Sequence, residues 1–173
     1  MTITGRAKEL IITGGGKNIS PSSIETRIRE NLSQILSQVV VIGDDRKYLS
    51  CLLTLKVKID PTLGTPTDVL EASAKEWCKK ALKSNSLSPD TIKIPENISD
   101  FLSSKYVNIF MKSLQEGIDS ANLKAEFNAA RVQKFSVLPN EFSIAGGEYG
   151  PTLKLKRFAI ANKYKNEIEK MYS

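Results

Sequence analysis

At 173 residues, with 40% hydrophobic and 25% charged residues, the chain suits one compact domain with a real core and lies outside the disordered and low-complexity classes. Lys and Arg outnumber Asp and Glu by 25 to 19, a net charge of +6 that favours anionic partners without choosing among nucleotides, nucleic acid and membrane surfaces. The absence of histidine removes triads built on an imidazole base, two cysteines without histidine argue against zinc, and no apolar run approaches the roughly 20 residues of a membrane span.

In chain order, Thr2-Ile3-Thr4-Gly5 starts like the middle of a strand and turn, without a signal-peptide core, so the chain is expected to be a piece cut from a longer protein. Leu10-Ile11-Ile12 is a short apolar strand running into Thr13-Gly14-Gly15-Gly16-Lys17-Asn18. Ser20-Pro21 supplies a helix start, and Ile24, Ile28 and Leu32 mark a buried face with Glu25 and Arg29 paired four apart outside it. Val39 to Ile42, the turn Gly43-Asp44-Asp45-Arg46 and Tyr48 to Val57 read as a β-hairpin with strongly apolar strands.

From about residue 60 to 100 the pattern changes. Pro61, Gly64 and Pro66 open a loop, Leu70, Ala74, Trp77 and Ala81 form a helical stripe, and Pro89 and Pro95 interrupt again, as expected of a helical insertion on a smaller core. A long helix is expected over Ile98 to Ser120, its stripe of Tyr106, Phe110, Leu114 and Ile118 serving as core, and a further helix over Ala121 to Ala130. Arg131 to Leu138 reads as a strand. Cys51 in a strand-like run and Cys78 in a helix-like run read as buried thiols of a reducing compartment. The order is α+β, with short antiparallel sheets (the hairpin plus central strands) flanked by helices.

Near the C-terminus Gly146-Gly147 and Gly150-Pro151 flank Glu148-Tyr149, a loop that is permissive on one side and locked on the other. Phe158, Ala161, Tyr164, Ile168 and Met171 then recur at helical spacing. Lys154 stands between Leu153 and Leu155; leucines that anchor the segment would hold its ammonium at a fixed place, a natural partner for phosphate or carboxylate oxygens. The same residues also fit a solvated basic face leading into a terminal helix.

The glycine run admits several mechanisms. A phosphate-cradling P-loop needs Gly five residues before the Gly-Lys pair and Ser or Thr after it, and here Ile11 and Asn18 occupy those places. An RNA-binding KH loop needs Gly-x-x-Gly after an apolar pair; Thr13 replaces its first glycine and the preceding helix is missing. A third pattern takes in more sequence: Gly5-Arg6-Ala7-Lys8-Glu9-Leu10-Ile11-Ile12, the glycines, then Ile19-Ser20-Pro21-Ser22-Ser23-Ile24-Glu25.

That run resembles the eighth core motif of adenylate-forming enzymes, and Gly150 to Arg157 resembles the tenth, in the Pro-Thr-Leu-Lys-Leu-Lys-Arg form of long-chain fatty acyl-CoA synthetases. With Asp44-Asp45-Arg46-Lys47-Tyr48-Leu49-Ser50 and the insertion after the hairpin, the likeness over essentially the whole chain is to the bubblegum subfamily of these ligases. The resemblance implies residues 1–173 as the small mobile C-terminal domain, with the large N-terminal domain that binds ATP, Mg and the fatty acid lying outside it. It implies Lys154 as the adenylation lysine and Lys8 as the hinge. Gly14, Gly15, Gly16 and, with less support from the spacing, Lys17 would form the loop that meets coenzyme A, while Lys156 and Arg157 would be structural or steer phosphate. Its implied partners are its own N-terminal domain, the long-chain fatty acid, ATP and coenzyme A. A cytoplasmic location follows, with peripheral attachment to an intracellular membrane compatible with a lipid substrate. The fragment alone is expected to be inactive.

The rival from another class is a basic module for nucleic acid or a membrane surface using Lys154, Lys156, Arg157, Lys163 and Lys165. RNA binding calls for exposed aromatics, whereas the aromatics here fall mostly on buried-looking stripes, so nucleic acid is not an expected partner.

Overall fold

The computed structural model describes residues 10–152 and 154–173. The fold is α+β and is organised by one three-stranded sheet. Two short strands come first, β1 (Ile11–Ile12) and β2 (Asn18–Ile19), paired antiparallel around the glycine loop. Helix α1 (Pro21–Asn31) follows, started by extended Ser20 and a first-turn proline, and buries Ile24 and Ile28. Strands β3 (Leu36–Ile42) and β4 (Leu49–Leu55) form the expected antiparallel hairpin, Val41 opposite Cys51.

All seven residues of β4 are buried, because it is the middle strand and both of its faces are covered. Alternation along the two strands then divides the core in two. Val39, Val41, Cys51 and Leu53 face α1 and the helices that follow it, while Val40 and Leu52 face the C-terminal segment. The outer neighbour of β4 is β7 (Val132–Val137), which runs parallel to it and not antiparallel as expected for this sheet. The chain leaves β4 and returns through a long helical crossover, the connection that parallel neighbours require.

The stretch read as an insertion opens with a second hairpin, β5 (Val57–Ile59) and β6 (Pro66–Leu70), so Leu70 ends a strand and does not begin the helical stripe. Helix α2 (Ala72–Ser84) buries Ala74, Cys78, Ala81 and Leu82 in the larger core, and Cys51 is buried in the same cluster. A 3₁₀ turn (Pro89–Thr91) leads onward. The long helix expected from Ile98 is two helices, α3 (Ile98–Ser103) and α4 (Val107–Asn122), separated where Ser104 turns extended at ψ 141. Asn97 caps α3 by accepting from the Asp100 amide at 2.8 Å.

The helix expected over Ala121 to Ala130 is not formed. The Asn122 side chain instead accepts from the Val132 amide at 2.9 Å and donates to its carbonyl at 2.8 Å, which ends α4 and begins β7. Only a 3₁₀ turn (Asn128–Ala130) lies between. The C-terminal stripe likewise forms two helices, α5 (Arg157–Lys163) and α6 (Lys165–Tyr172), with Tyr164 between them at φ −106 and ψ 27. Leu138, Phe142, Ile160, Tyr164, Ile168 and Met171 make the smaller core with Val40 and Leu52. Among the described residues no helix is long and apolar enough to cross a membrane.

Candidate functional site: a glycine hairpin and a lysine hairpin

Residues 13–17 are the tip of the β1–β2 hairpin. Thr13, which replaces the glycine of the RNA-binding pattern, closes the loop: its amide donates to the Lys17 carbonyl at 3.0 Å and its Oγ1 accepts from the Lys17 amide at 3.1 Å. Gly16 sits at φ +84, the left-handed region that only glycine occupies without cost. The hairpin leans on the β3–β4 turn. The Gly14 amide donates to the Arg46 carbonyl at 2.9 Å, Asp45 donates to the Ile12 carbonyl at 2.8 Å, and Asp44 Oδ1 accepts from the Ile12 amide at 3.1 Å. A Cβ on Gly14 would lie 3.3 Å from the Arg46 oxygen, a tight contact that glycine avoids. Gly14, Gly15, Gly16 and Lys17 are all exposed, with the Lys17 ammonium 5.5 Å from the centre of the Phe127 ring.

Lys154 stands on a second hairpin. Tyr149 pairs with Leu155 in an antiparallel bridge, the Gly150 amide donates to the Lys154 carbonyl at 2.9 Å, and Pro151 and Thr152 lie in the turn between them. Leu155 is half-buried against the smaller core, the anchoring expected of it, whereas the companion expectation for Leu153 lies outside the described residues. The Lys154 side chain is exposed and makes no hydrogen bond or ion pair among the described residues. Lys156 is also exposed, and its amide donates to the Glu148 carbonyl at 2.7 Å.

Arg157 is held differently. Its two terminal nitrogens donate to the two carboxylate oxygens of Glu25, each at 2.5 Å, and Glu25 Oε2 also accepts from the Val41 amide at 2.8 Å. Glu25 therefore does not pair outward with Arg29 as the four-residue spacing suggests; it is buried at 4% exposure and ties α1 to β3 and α5. This geometry suits the structural side of the two roles expected of Arg157.

Glu148 is buried more deeply, at 1% exposure. Burial alone would push its carboxyl up. Donation from Lys163 Nζ at 2.6 Å, the Ser143 amide at 3.1 Å and Tyr164 Oη at 2.8 Å outweighs that and holds it below the usual glutamate value. In turn, burial and then the adjacent Glu148 carboxylate push the Tyr164 phenol up. Gly147 at φ +87 makes the turn, and a Cβ on Gly146 would come within 2.4 Å of Glu148 Oε1. Neither Glu25 nor Glu148 stands out in the sequence as a site residue. The one signal for Glu148 is its place between Gly-Gly and Gly-Pro.

No hydrogen bond or ion pair among the described residues joins Lys154 to the glycine hairpin, so the two motifs form separate loops on one domain. The expected hinge Lys8 lies outside the described residues. The family model described as the AMP-binding enzyme C-terminal domain matches residues 8–106, more than half of the chain, and this chain belongs to that family.

Among curated relatives, the chain is 41% identical over 170 residues to the long-chain-fatty-acid–CoA ligase ACSBG2 of Xenopus laevis, spanning 98% of this chain and 21% of that protein. It is 40% identical over 181 residues to the long-chain-fatty-acid–CoA ligase heimdall of Drosophila melanogaster, spanning 99% of this chain and 26% of the relative. The chain thus spans about a fifth to a quarter of the length of these relatives. Among solved structures, the adenylation domain of a carboxylate reductase from Mycobacterium chelonae superposes with a TM-score of 0.58 at 18% identity, over 96% of this chain and 20% of that one. That likeness establishes the fold.

Proposed function

We propose that this chain works as the mobile C-terminal domain of a long-chain fatty acid–CoA ligase, with Lys154 as the residue it brings to the adenylation step. The observation that carries the reading is the exposed Lys154 ammonium, on a hairpin whose base is anchored in the smaller core and with no carboxylate competing for it among the described residues. In adenylation a fatty-acid carboxylate attacks the α-phosphate of ATP and pyrophosphate leaves. Both reactants are anionic, so a cation between them offsets their repulsion and the charge that develops as they join.

In the second half-reaction the thiol of coenzyme A attacks the acyl-adenylate and AMP leaves. The domain then presents Gly14, Gly15 and Gly16 in place of Lys154, and their backbone admits the pantetheine arm without side chains in its way. Lys8 is assigned to the hinge that absorbs the rotation. Lys17 and Lys156 are assigned to phosphate contacts. ATP, its Mg ion and the fatty-acid tunnel are assigned to the larger domain. Phe158 at 81% exposure and Ile12 at 53% are large apolar side chains left uncovered, which supports docking onto a larger body.

The test is Lys154→Ala in the full-length protein. Pyrophosphate release from ATP and a long-chain fatty acid should fall by about 100-fold or more, while thioester formation from supplied acyl-adenylate and coenzyme A is spared. Equal loss of both half-reactions would sink the assignment. The 173-residue chain alone, mixed with ATP and palmitate, should release no pyrophosphate.

A further inference from the structure

We infer that Glu148 is a positioning residue for Lys154: it fixes the hairpin that carries the lysine, so its loss should damage adenylation and leave thioester formation intact. The inference rests on the role proposed above for Lys154. Glu148 lies six residues before Lys154 and immediately before Tyr149, which forms the base of the hairpin with Leu155. Its carboxylate draws together three places: the Ser143 amide at the loop entrance, Lys163 at the end of α5 and Tyr164 at the joint between α5 and α6. Its main-chain carbonyl accepts from the Lys156 amide at 2.7 Å, two residues past Lys154. One buried residue therefore holds the strand entering the hairpin by its side chain and the strand leaving it by its backbone.

Several neighbours serve this arrangement. Lys163 Nζ also donates to the Gly146 carbonyl at 2.9 Å, the Gly146 amide donates to Ser143 Oγ at 2.8 Å, and a side chain at Gly146 would collide with the Glu148 carboxylate. The Lys154 ammonium makes no hydrogen bond or ion pair with these groups among the described residues. It is free to meet a reacting phosphate, and its position is set by what lies beneath it. A neutral amide at Glu148 would keep the shape but leave Lys163 without its counter-charge beside a buried group and weaken the donations from Tyr164 and Ser143. The hairpin would then sample more than one pose, and a displacement near 1 Å can cost on the order of 100-fold in rate.

The experiment compares native, Lys154→Ala and Glu148→Gln full-length proteins in the two half-reactions separately. Pyrophosphate release with palmitate and ATP reads adenylation; palmitoyl-CoA formation from supplied palmitoyl-adenylate reads thioester formation. Glu148→Gln should lower the first by about 10- to 100-fold and leave the second within about twofold of native. If Lys154→Ala loses adenylation while Glu148→Gln keeps it, or if Glu148→Gln loses both steps alike, the positioning role is overturned and the Lys154 assignment stands. If Lys154→Ala keeps adenylation, that assignment fails first and the positioning role with it. Should Glu148→Gln not fold, Tyr164→Phe removes one donor from the same carboxylate and keeps the ring. A fall in adenylation alone supports the inference, and unchanged or equally reduced half-reactions overturn it.

Discussion

Glu25 and Arg157, 132 residues apart in the chain, meet in a two-pronged ion pair with both N–O distances at 2.5 Å. One is on the helix that follows the glycine hairpin and the other opens the helix that follows the lysine hairpin, so the pair locks the two motif-bearing segments into one body. The Glu25 side chain is 6% exposed and that of Arg157 is 24% exposed. Removing one partner from such a site leaves the other desolvated. Arg157→Ala should lower unfolding stability by on the order of 3 kcal/mol in urea titration, and Arg157→Lys, which loses the fork, by somewhat less. A variant within about 0.5 kcal/mol of native would show that the pair adds nothing net.

Glu148 makes folding pH-dependent in a definite direction. Its carboxyl is held below the 4.5 usual for glutamate in the folded protein. The stability this represents is present in full above the unfolded value and is lost as pH falls through the lower folded one. The urea midpoint of the native protein should therefore drop more steeply than that of Glu148→Gln as pH falls from about 5 to about 3. Parallel curves would mean that the carboxylate gains nothing from its three donors.

Gly16 has a left-handed backbone at φ +84 and open space around its missing side chain. Gly16→Ala should strain the loop by about 1 kcal/mol without any clash. On the role proposed for the glycine loop in the coenzyme A step, thioester formation should slow and adenylation should hold, the mirror image of Lys154→Ala. The same two half-reaction assays read it, and a selective loss of adenylation would contradict the division of labour between the loops.

Burial pushes the Cys78 thiol up to about 12 and raises that of Cys51 further. Both are poor thiolates at neutral pH. A chromogenic disulfide reagent should therefore label neither position in the native state at about pH 8 and both after denaturation. Rapid labelling of the native chain at Cys78 would place that helix face at the surface.

Much of this was legible from local pattern. The β3–β4 hairpin is two dense apolar runs around Gly43, and the stripe of Phe110, Leu114 and Ile118 behaves as core because a regular apolar face has nowhere else to go. The motif resemblance singles out Lys154 and the glycines as candidates, and the structure puts each on an exposed hairpin. What escaped depends on distant partners. The direction of β7 is set by which strand it finds and by the crossover, neither of which is written in Arg131 to Leu138. Helix α4 stops at Asn122 because that side chain captures Val132 ten residues on, a contact that helix periodicity does not reveal. Glu25 looks like half of a surface pair with Arg29 until the sheet and Arg157 arrive on its other side. Glu148, one acid among glycines, reads as a solvated turn until Lys163 and Tyr164 close over it.

The division of the interior into two clusters has a bearing on how the domain breathes. Apart from Val40 and Leu52, every fully buried member of the smaller cluster comes from residues 138–171, the same segment that bears Lys154. Opening that layer would uncover one face of the sheet while α1, α2 and α4 stay seated on the other. Amides of α5 and α6 should accordingly exchange with deuterium ahead of those in β4, with the Glu25–Arg157 pair as the tie that such an opening has to break.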